Sequence, residues 1–153
     1  PNRTTFIESV RDAIRASQRT GDRFALLFMD GDRFKQTNDR YGHAAGDQVI
    51  TEVAKRLGPL LRVGDVAARL GGDEFAVLIH HLEQREDADA VAQRIDAAMG
   101  VPIVVSDGQE VIIGMSVGVA VYPEDGGDVE ALIARADSAM YAAKQLRREG
   151  LQR

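Results

Sequence analysis

Hydrophobic residues in the first part of the chain follow a helical pattern and then a strand-like one. Phe6, Val10 and their apolar neighbours recur at helical spacing, and Gly21 is placed to end that helix. The continuous apolar run of residues 24–29 predicts a buried central strand, which Asp30 follows directly. We therefore expect Asp30 at the end of a strand, where its side chain leaves the core.

The middle of the chain predicts two helices and a β-hairpin. A short helical segment precedes apolar positions between residues 50 and 57, which mark a longer helix that stops near Gly64. Residues 65–70 and 75–79 then predict two strands. The pair Gly71-Gly72 lies between these strands, where a two-residue hairpin turn needs positive φ angles.

The last third of the chain predicts a helix, two strands and a final helix. Apolar residues recur at helical spacing over residues 91–99, and the strands are expected at 101–105 and 111–122, joined through 107–108. Residues 129–146 predict the last helix. The predicted order of elements is therefore α, β, α, β, β, α, β, β, α.

This order predicts the fold class and brings distant acids together. A β-α-β-β-α-β core favours one α+β domain with a mainly antiparallel central sheet flanked by helices, which the ferredoxin-like arrangement places on one side. The first and third strands are antiparallel neighbours in that arrangement. We therefore expect Asp30 to lie beside Asp73, with Glu74 nearby, although Asp30 and Asp73 are far apart in sequence.

Three carboxylates that converge at strand ends could hold a metal ion. Asp73 and Glu74 follow the two glycines of the hairpin turn, and Asp30 would join them from the first strand. A cluster of acids in one place is a candidate functional site. The alternative is that the three acids only cap strands and solubilise a turn.

Composition and charge restrict the possible functions. The chain has 153 residues, of which 44% are hydrophobic, a net charge of −5 and no cysteine. The missing cysteines exclude disulfides, a thiolate nucleophile and Cys-bound zinc, and are compatible with the cytoplasm. Because lysine and arginine are dispersed and no apolar run could span a bilayer, we expect neither a nucleic-acid polymer nor a membrane as partner. An anionic substrate would need local cations or a metal.

Several motifs together resemble one family. The chain resembles the GGDEF family of diguanylate cyclases almost from end to end, in the family's order and spacing. The matching segments are Pro1-Asn2-Arg3, Asp30 to Lys35, Asn38-Asp39, Gly42-His43, Gly46-Asp47, Arg69 to Phe75, Ser116-Val117-Gly118, Tyr122-Pro123 and Ala136-Asp137 to Lys144. The resemblance implies a fold like the nucleotidyl cyclase and polymerase palm domains, and an enzyme that joins two GTP molecules into cyclic di-GMP with release of pyrophosphate.

The resemblance also implies a metal site. Asp30 and Asp73 match the family's metal ligands, and Gly31 matches a position that contributes its backbone carbonyl. Glu74 matches a residue needed for activity, either as a metal ligand or in activating the attacking hydroxyl. We therefore expect two Mg²⁺ ions in each active site, with Mn²⁺ as an alternative ion.

Guanine and phosphate contacts follow from the same resemblance. Asn38 and Asp47 match positions that bind guanine, although without the resemblance they would be interpreted as a turn residue and a helix N-cap. The remaining residues match substrate-binding positions of the family, at the phosphates and in the hairpin turn. They are Lys35, the backbone amides of Arg33 and Phe34, Gly71, Gly72, Lys144 and Arg148. Lys144 and Arg148 are four residues apart and would share a helix face, although cations in a last turn also complement the helix dipole. The chain departs from the family here, since Arg147-Arg148-Glu149 stands where Gly-Arg-Asn is usual.

An inhibitory product site is a further expectation from the resemblance. Arg62 and Asp65 match the family's Arg-x-x-Asp motif, at the right distance before Gly71, and Arg94 matches the secondary arginine of that site. A guanidinium can bind phosphate or a guanine edge through two hydrogen bonds, while a carboxylate accepts hydrogen bonds from the other edge. The ligand expected there is cyclic di-GMP.

The whole chain, 1–153, is thus expected to be a GGDEF domain from a longer multidomain signalling protein. It begins without an initiator Met, and the longer protein could be attached to a membrane. The resemblance implies an active homodimer in which each subunit presents one GTP, so we expect the isolated domain to be largely monomeric and slow. Two alternatives stay open: a silent GGDEF domain that binds GTP or cyclic di-GMP as a receptor, and an interaction module without nucleotide.

Overall fold

The fold is built from helices and short antiparallel strands around one central strand. The structure is a computed structural model that describes residues 2–106 and 108–151, with side chains up to residue 147. The elements within these ranges are α1 (Arg3–Thr20), β1 (Arg23–Gly31), α2 (Phe34–Tyr41), α3 (His43–Leu57), a 3₁₀ turn (Gly58–Leu60), β2 (Val66–Gly71), β3 (Glu74–Leu82), α4 (Arg85–Met99), β4 (Ile103–Val104), β5 (Glu110–Val111), β6 (Met115–Tyr122) and α5 (Val129–Leu151).

The central sheet has four antiparallel strands in the order β2-β3-β1-β6. Strand β1 lies between β3 and β6, so that Asp30 is directly opposite Glu74 on one side and Ser116 on the other. The α+β fold and the antiparallel pairing of the first and third strands are therefore confirmed. This pairing brings the end of β1 next to the turn that precedes β3.

Side chains of β1 alternate between two hydrophobic clusters on opposite faces of the sheet. Ala25, Leu27 and Met29 pack with residues of α3 and α4 on one face. Phe24 and Leu26 pack with residues of α1 and α5 on the other face. Helices therefore cover both faces, and the expectation that they lie on one side is wrong. Because successive residues of a strand point to opposite faces, the residue after Met29 belongs to the face covered by α1 and α5.

The predicted continuous strand 111–122 is wrong. The chain turns at Gly114, whose φ of 68° is in the left-handed region that favours glycine. Before this turn Glu110–Val111 pairs with Ile103–Val104 in a separate two-stranded sheet, and after it Met115–Tyr122 joins the central sheet. The strand predicted at 101–105 is correspondingly shortened to β4, and residue 107 of the predicted connection lies outside the described residues.

Several helix boundaries also differ from the predictions. Gly21, with a φ of 80°, ends α1 as expected. Helix α3 ends at Leu57 and gives way to a 3₁₀ turn that contains Pro59, well before the predicted stop at Gly64. Helix α3 begins at His43, so Asp47 lies inside it and the N-cap interpretation of Asp47 is wrong. None of the helices described is long and apolar enough to cross a membrane.

Candidate active site

Asp30 and Asp73 meet where β1 ends and β3 begins. The backbone N–H of Gly31 donates a hydrogen bond to the Asp73 carbonyl at 3.3 Å. A side-chain carbon on Gly31 would lie 3.2 Å from Oδ2 of Asp73, so the two segments are in contact. The predicted proximity of Asp30 and Asp73 is therefore confirmed, across the pairing of β1 with β3.

Burial and mutual repulsion make the ionised form of the acidic pair unfavourable. Burial, a hydrogen bond with Asp30 and charge repulsion from Asp30 raise the pKa of Asp73 to about 7. Oδ1 of Asp30 is buried. When both Asp30 and Asp73 are ionised, no described group donates a hydrogen bond to this oxygen. A buried oxygen without a donor is costly unless a proton or a cation compensates it. The pair is therefore ready to accept a cation.

The residues present fit a hard divalent cation that is completed by substrate. Among the side chains that the structure describes, no three His, Cys, Asp or Glu groups form a ready metal site. Mg²⁺, however, is commonly bound by one or two carboxylates together with waters and substrate phosphates. Asp30 and Asp73 provide two carboxylates and an unsatisfied oxygen, which suits this mode of binding.

Glu74 does not join Asp30 and Asp73 in the structure. Its side chain is exposed, and it lines a small cavity of about 250 Å³ with Arg3, Asp137 and apolar residues between the sheet and α5. Asp30 and Glu74 are nevertheless opposite each other on neighbouring strands. The structure therefore places Glu74 beside the acidic pair rather than in it.

Lys144 of α5 brings a positive charge to the acidic pair. Its Nζ donates a hydrogen bond to Oδ2 of Asp30 at 3.0 Å, and less than a fifth of either side chain is exposed. Water screens such a pair only partly, so the attraction is stronger than at an open surface. The Arg148 side chain lies outside the described residues.

The residues expected to bind guanine lie at the junction of α2 and α3. Oδ1 of Asn38 is buried, and no described group donates a hydrogen bond to it. The Asn38 side chain packs against Gly46, where any larger residue would overlap it. Asp47 follows Gly46 and is exposed. The structure thus brings Asn38 next to the turn of α3 that carries Asp47.

The residues expected to bind phosphate lie at the start of α2 and in the hairpin turn. Arg33 precedes α2, has no side-chain hydrogen bond to the helix end and is exposed, as is Lys35. Free N–H groups at a helix start favour an anion. Phe34 packs against the hydrophobic cluster under α3 and anchors this end of α2. Gly71 ends β2 and pairs with Glu74, so the two-residue turn is Gly72-Asp73, and the prediction that it is Gly71-Gly72 is wrong by one residue. Both glycines have positive φ, of 156° and 49°.

The three residues expected at an inhibitory site line one cavity. Arg62, Asp65 and Arg94 border a cavity of about 850 Å³ between the turn before β2 and α4. Asp65 accepts hydrogen bonds from the backbone N–H groups of Arg62 at 3.0 Å and of His80 at 3.1 Å. These bonds fix the turn, while the Arg62 side chain stays largely exposed and donates to the His80 carbonyl. The structure therefore brings this predicted set together.

An ionic cluster beside the acidic pair was not predicted from the sequence. Arg147 of α5 forms ion pairs with Asp32, which follows Asp30 and Gly31, and with Asp96 of α4. The available signal was the arginine at position 147, where the family usually has glycine. No spacing rule links these three residues, because they come from three separate elements.

The fold and site define an α+β palm-like domain with paired carboxylates at neighbouring strand ends. The family model described as "Diguanylate cyclase, GGDEF domain" matches residues 1–150. The chain belongs to this family, and the resemblance found from its motifs is confirmed.

Relatives and solved structures agree with this assignment. The chain is 46% identical over 145 residues to diguanylate cyclase TpbB of Pseudomonas aeruginosa, an alignment that covers 95% of this chain and 33% of TpbB. The crystal structure of the TpbB GGDEF domain has a TM-score of 0.93 at 46% identity and covers 95% of this chain and 91% of that one. The GGDEF domain of DgcB from Caulobacter crescentus, solved in complex with c-di-GMP, has a TM-score of 0.85 at 30% identity, over 94% of this chain and 85% of that one. The chain thus spans about a third of the length of TpbB.

Proposed function

We propose that this domain is a diguanylate cyclase that condenses two GTP molecules into cyclic di-GMP. The observation that carries the proposal is the Asp30–Asp73 pair, in which a buried carboxylate oxygen lacks a hydrogen-bond donor. The raised pKa of Asp73 supports the same interpretation, because burial, the hydrogen bond with Asp30 and repulsion from Asp30 all disfavour the charged carboxylate, which a cation would stabilise. The 46% identity to a protein named diguanylate cyclase agrees with it.

The reaction forms two phosphodiester bonds and releases two pyrophosphates. In each step the 3′-oxygen of one GTP attacks the α-phosphorus of the other, the bond to the pyrophosphate oxygen breaks, and the hydroxyl proton is lost. Mg²⁺ ions held by Asp30 and Asp73, with the Gly31 carbonyl, would stabilise charge on the attacking and leaving oxygens. Glu74, beside the acidic pair, is exposed and can accept the hydroxyl proton.

The other site residues bind and orient the nucleotide. Asp47 offers a hydrogen-bond acceptor to guanine, and the Asn38 amide offers a donor to the ring or carbonyl of the base. Lys35 and the start of α2 bind phosphates, where free N–H groups favour anions. Lys144 neutralises Asp30 in the structure. Once a metal ion carries that charge, Lys144 can pair with the triphosphate instead, and we assign Arg148 to the same task.

The active form is a homodimer, and its product, cyclic di-GMP, inhibits the cyclase activity. Each domain holds one GTP, so two copies must face each other for both bonds to form. Cyclic di-GMP is proposed to bind at Arg62, Asp65 and Arg94, which surround a cavity large enough for part of a nucleotide ligand. The complex of the DgcB GGDEF domain with c-di-GMP supports a product-binding role for the fold. The isolated domain should be largely monomeric in light scattering, and a tight dimer without nucleotide would contradict this.

The decisive experiment forces two copies together. The domain is fused to a dimerising coiled coil, incubated with Mg²⁺ and GTP, and its products are separated by nucleotide chromatography beside an Asp73→Asn fusion. We expect cyclic di-GMP from the parent fusion and none from the variant. Binding of GTP without product in the parent fusion would overturn the proposal and favour a receptor that binds the nucleotide without turnover.

A further inference from the structure

Arg147 links three elements of the domain through one guanidinium group. Its Nε lies 3.2 Å from Oδ2 of Asp32, in the loop between β1 and α2. Its Nη2 forms an ion pair with Oδ1 of Asp96 on α4. A guanidinium group is a planar, delocalised cation that can face two carboxylates at once, which a lysine cannot do in the same way. The contact with Oδ2 of Asp32 is an ion pair without a hydrogen bond. The last helix is thereby joined both to the β1–α2 loop and to α4.

Asp32 is the fixed partner in this link. Only 10% of its side chain is exposed. Its Oδ1 accepts a hydrogen bond from Ser116 Oγ at 2.6 Å, and its backbone N–H donates to the Gly114 carbonyl at 3.3 Å. A carboxylate buried to this extent is stable only when an opposite charge compensates it. Arg147 supplies that charge.

Gly114 leaves the space that this link needs. A side-chain carbon at this position would lie 3.3 Å from both Arg147 Nη1 and Asp32 Oδ2. Its positive φ, 68°, also favours glycine. The turn at Gly114 therefore separates β5 from β6 and also leaves room for the Arg147 guanidinium group to reach the β1–α2 loop.

The Arg147–Asp32 ion pair lies beside the Lys144–Asp30 ion pair in sequence. Asp32 is two residues after Asp30, and Arg147 is three residues after Lys144. The Arg147–Asp32 ion pair therefore joins the same two segments of the chain as the Lys144–Asp30 ion pair. We infer that Arg147 is a positioning residue that holds the β1–α2 loop against α5, so that Asp30, the start of α2 and Lys144 are aligned for a metal-bound nucleoside triphosphate. This inference rests on the proposed function. Arg147 itself contacts protein carboxylates and not the substrate.

The two partners of Arg147 contribute unequally. Only 10% of the Asp32 side chain is exposed to solvent, compared with 54% of the Asp96 side chain. An exposed ion pair contributes little, because water screens it. Replacing Asp96 should therefore have a small effect, and replacing Arg147 a large one. This ranking separates the proposed role from a general effect of surface charge.

The first test needs no nucleotide. Hydrogen–deuterium exchange is measured on the isolated domain, comparing Arg147→Ala with Arg11→Ala, which removes an exposed arginine of α1. In Arg147→Ala we expect amides of residues 31–35 and of α5 near residues 141–147 to exchange about fivefold faster or more, because local opening becomes easier. Exchange in α1 should not change. Unchanged exchange in the β1–α2 loop would overturn the inference, whether or not the domain is an enzyme.

The second test measures nucleotide use in the coiled-coil fusion. Arg147→Ala should raise KM for GTP about tenfold and change kcat less than about threefold, because misplaced binding groups weaken substrate binding before chemistry. Arg147→Lys should recover part of the loss, since it restores one charge, and Asp96→Asn should stay close to the parent. A lower melting temperature with an unchanged KM would show that Arg147 only stabilises the fold and would overturn the inference.

The two tests also separate the inference from the proposed function. If the parent fusion makes no product and binds no GTP, the proposed function fails, and so does the nucleotide part of the inference. The exchange measurement would then still decide whether Arg147 holds the β1–α2 loop against α5.

Discussion

Lys144 and Asp30 form an ion pair at 3.0 Å across 114 residues of sequence. The pair joins the last helix to the end of the central strand, and less than a fifth of either side chain is exposed. Lys144 is therefore the cation that balances the acidic pair when no metal ion is bound.

Replacing Lys144 should affect both stability and substrate use. In metal-free buffer, Lys144→Met should lower the free energy of unfolding by about 1–3 kcal/mol, because it leaves Asp30 beside Asp73 without an opposite charge. In the coiled-coil fusion it should also raise KM for GTP by about tenfold or more, because the cation proposed to bind phosphate is lost. Urea unfolding and steady-state kinetics measure the two effects, with Arg11→Met as the matched control. A variant as stable as the parent in EDTA would contradict this account of the ion pair.

Replacing Asp73 should stabilise the metal-free domain at alkaline pH. Burial and then Asp30 raise the Asp73 pKa from 3.8 to about 7, so the folded state binds this proton more tightly than the unfolded chain does. Stability is therefore lost as pH rises through this range. Asn cannot ionise, so Asp73→Asn should exceed the parent by about 1 kcal/mol at pH 8 in EDTA, a value reduced by solvent screening. Near pH 4 the difference should disappear.

Adding Mg²⁺ completes the Asp73 experiment. The ion should raise the melting temperature of the parent at pH 8, because it binds the folded state. It should have little effect on Asp73→Asn. Thermal unfolding of both proteins is measured in EDTA and in Mg²⁺. Equal stabilisation of both proteins by Mg²⁺ would contradict the proposed role of Asp73 as a metal ligand.

A methyl group at Gly46 should impair guanine binding indirectly, by displacing Asn38. In Gly46→Ala the new carbon would overlap the Asn38 side chain, which must move. We expect KM for GTP to rise about tenfold, a typical effect of one lost hydrogen bond to a charged or well-placed group. Gly58→Ala is the control, since Gly58 has ordinary φ and open space around it. Equal GTP affinity in Gly46→Ala and the parent would argue against a guanine contact at Asn38.

Replacing Arg62 should separate product binding from substrate binding. Arg62→Ala should weaken cyclic di-GMP binding by about tenfold or more, because a guanidinium that could make two hydrogen bonds is removed from the cavity. KM for GTP should stay within about twofold, since Arg62 is remote from the acidic pair in the fold. Isothermal titration measures the product affinity, with Arg19→Ala as an exposed control on α1. If the Arg62 variant bound cyclic di-GMP as the parent does, the proposed product site would be wrong.

Much of the fold could be predicted because the strongest signals are local. The apolar run before Asp30 predicts a central strand, and the hairpin glycines predict the next strand pair, so the meeting of Asp30 with Asp73 follows from topology alone. The break at Gly114 could not be predicted. The residues around it are continuously apolar, and apolar character does not encode the positive φ that separates β5 from β6.

The ionic contacts of the site depend on tertiary structure. Lys144, Arg147 and Asp96 are charged residues on helices, and such residues usually face solvent. Their partners are determined by how α5 lies across the sheet and beside α4, which no periodicity reports. The place of Asp47 inside α3 was missed for a simpler reason: the helix begins right after Gly42, five residues earlier than an N-cap at Asp47 would allow.

The alternation of β1 side chains links catalysis to correct strand pairing. Asp30 belongs to the face covered by α1 and α5, which is also where Lys144 approaches. If β1 paired one residue out of step with its neighbours, its side chains would exchange faces and Asp30 would point away from Lys144. A core substitution that permits such a slip would therefore produce a folded but inactive population, although every residue of the site were intact.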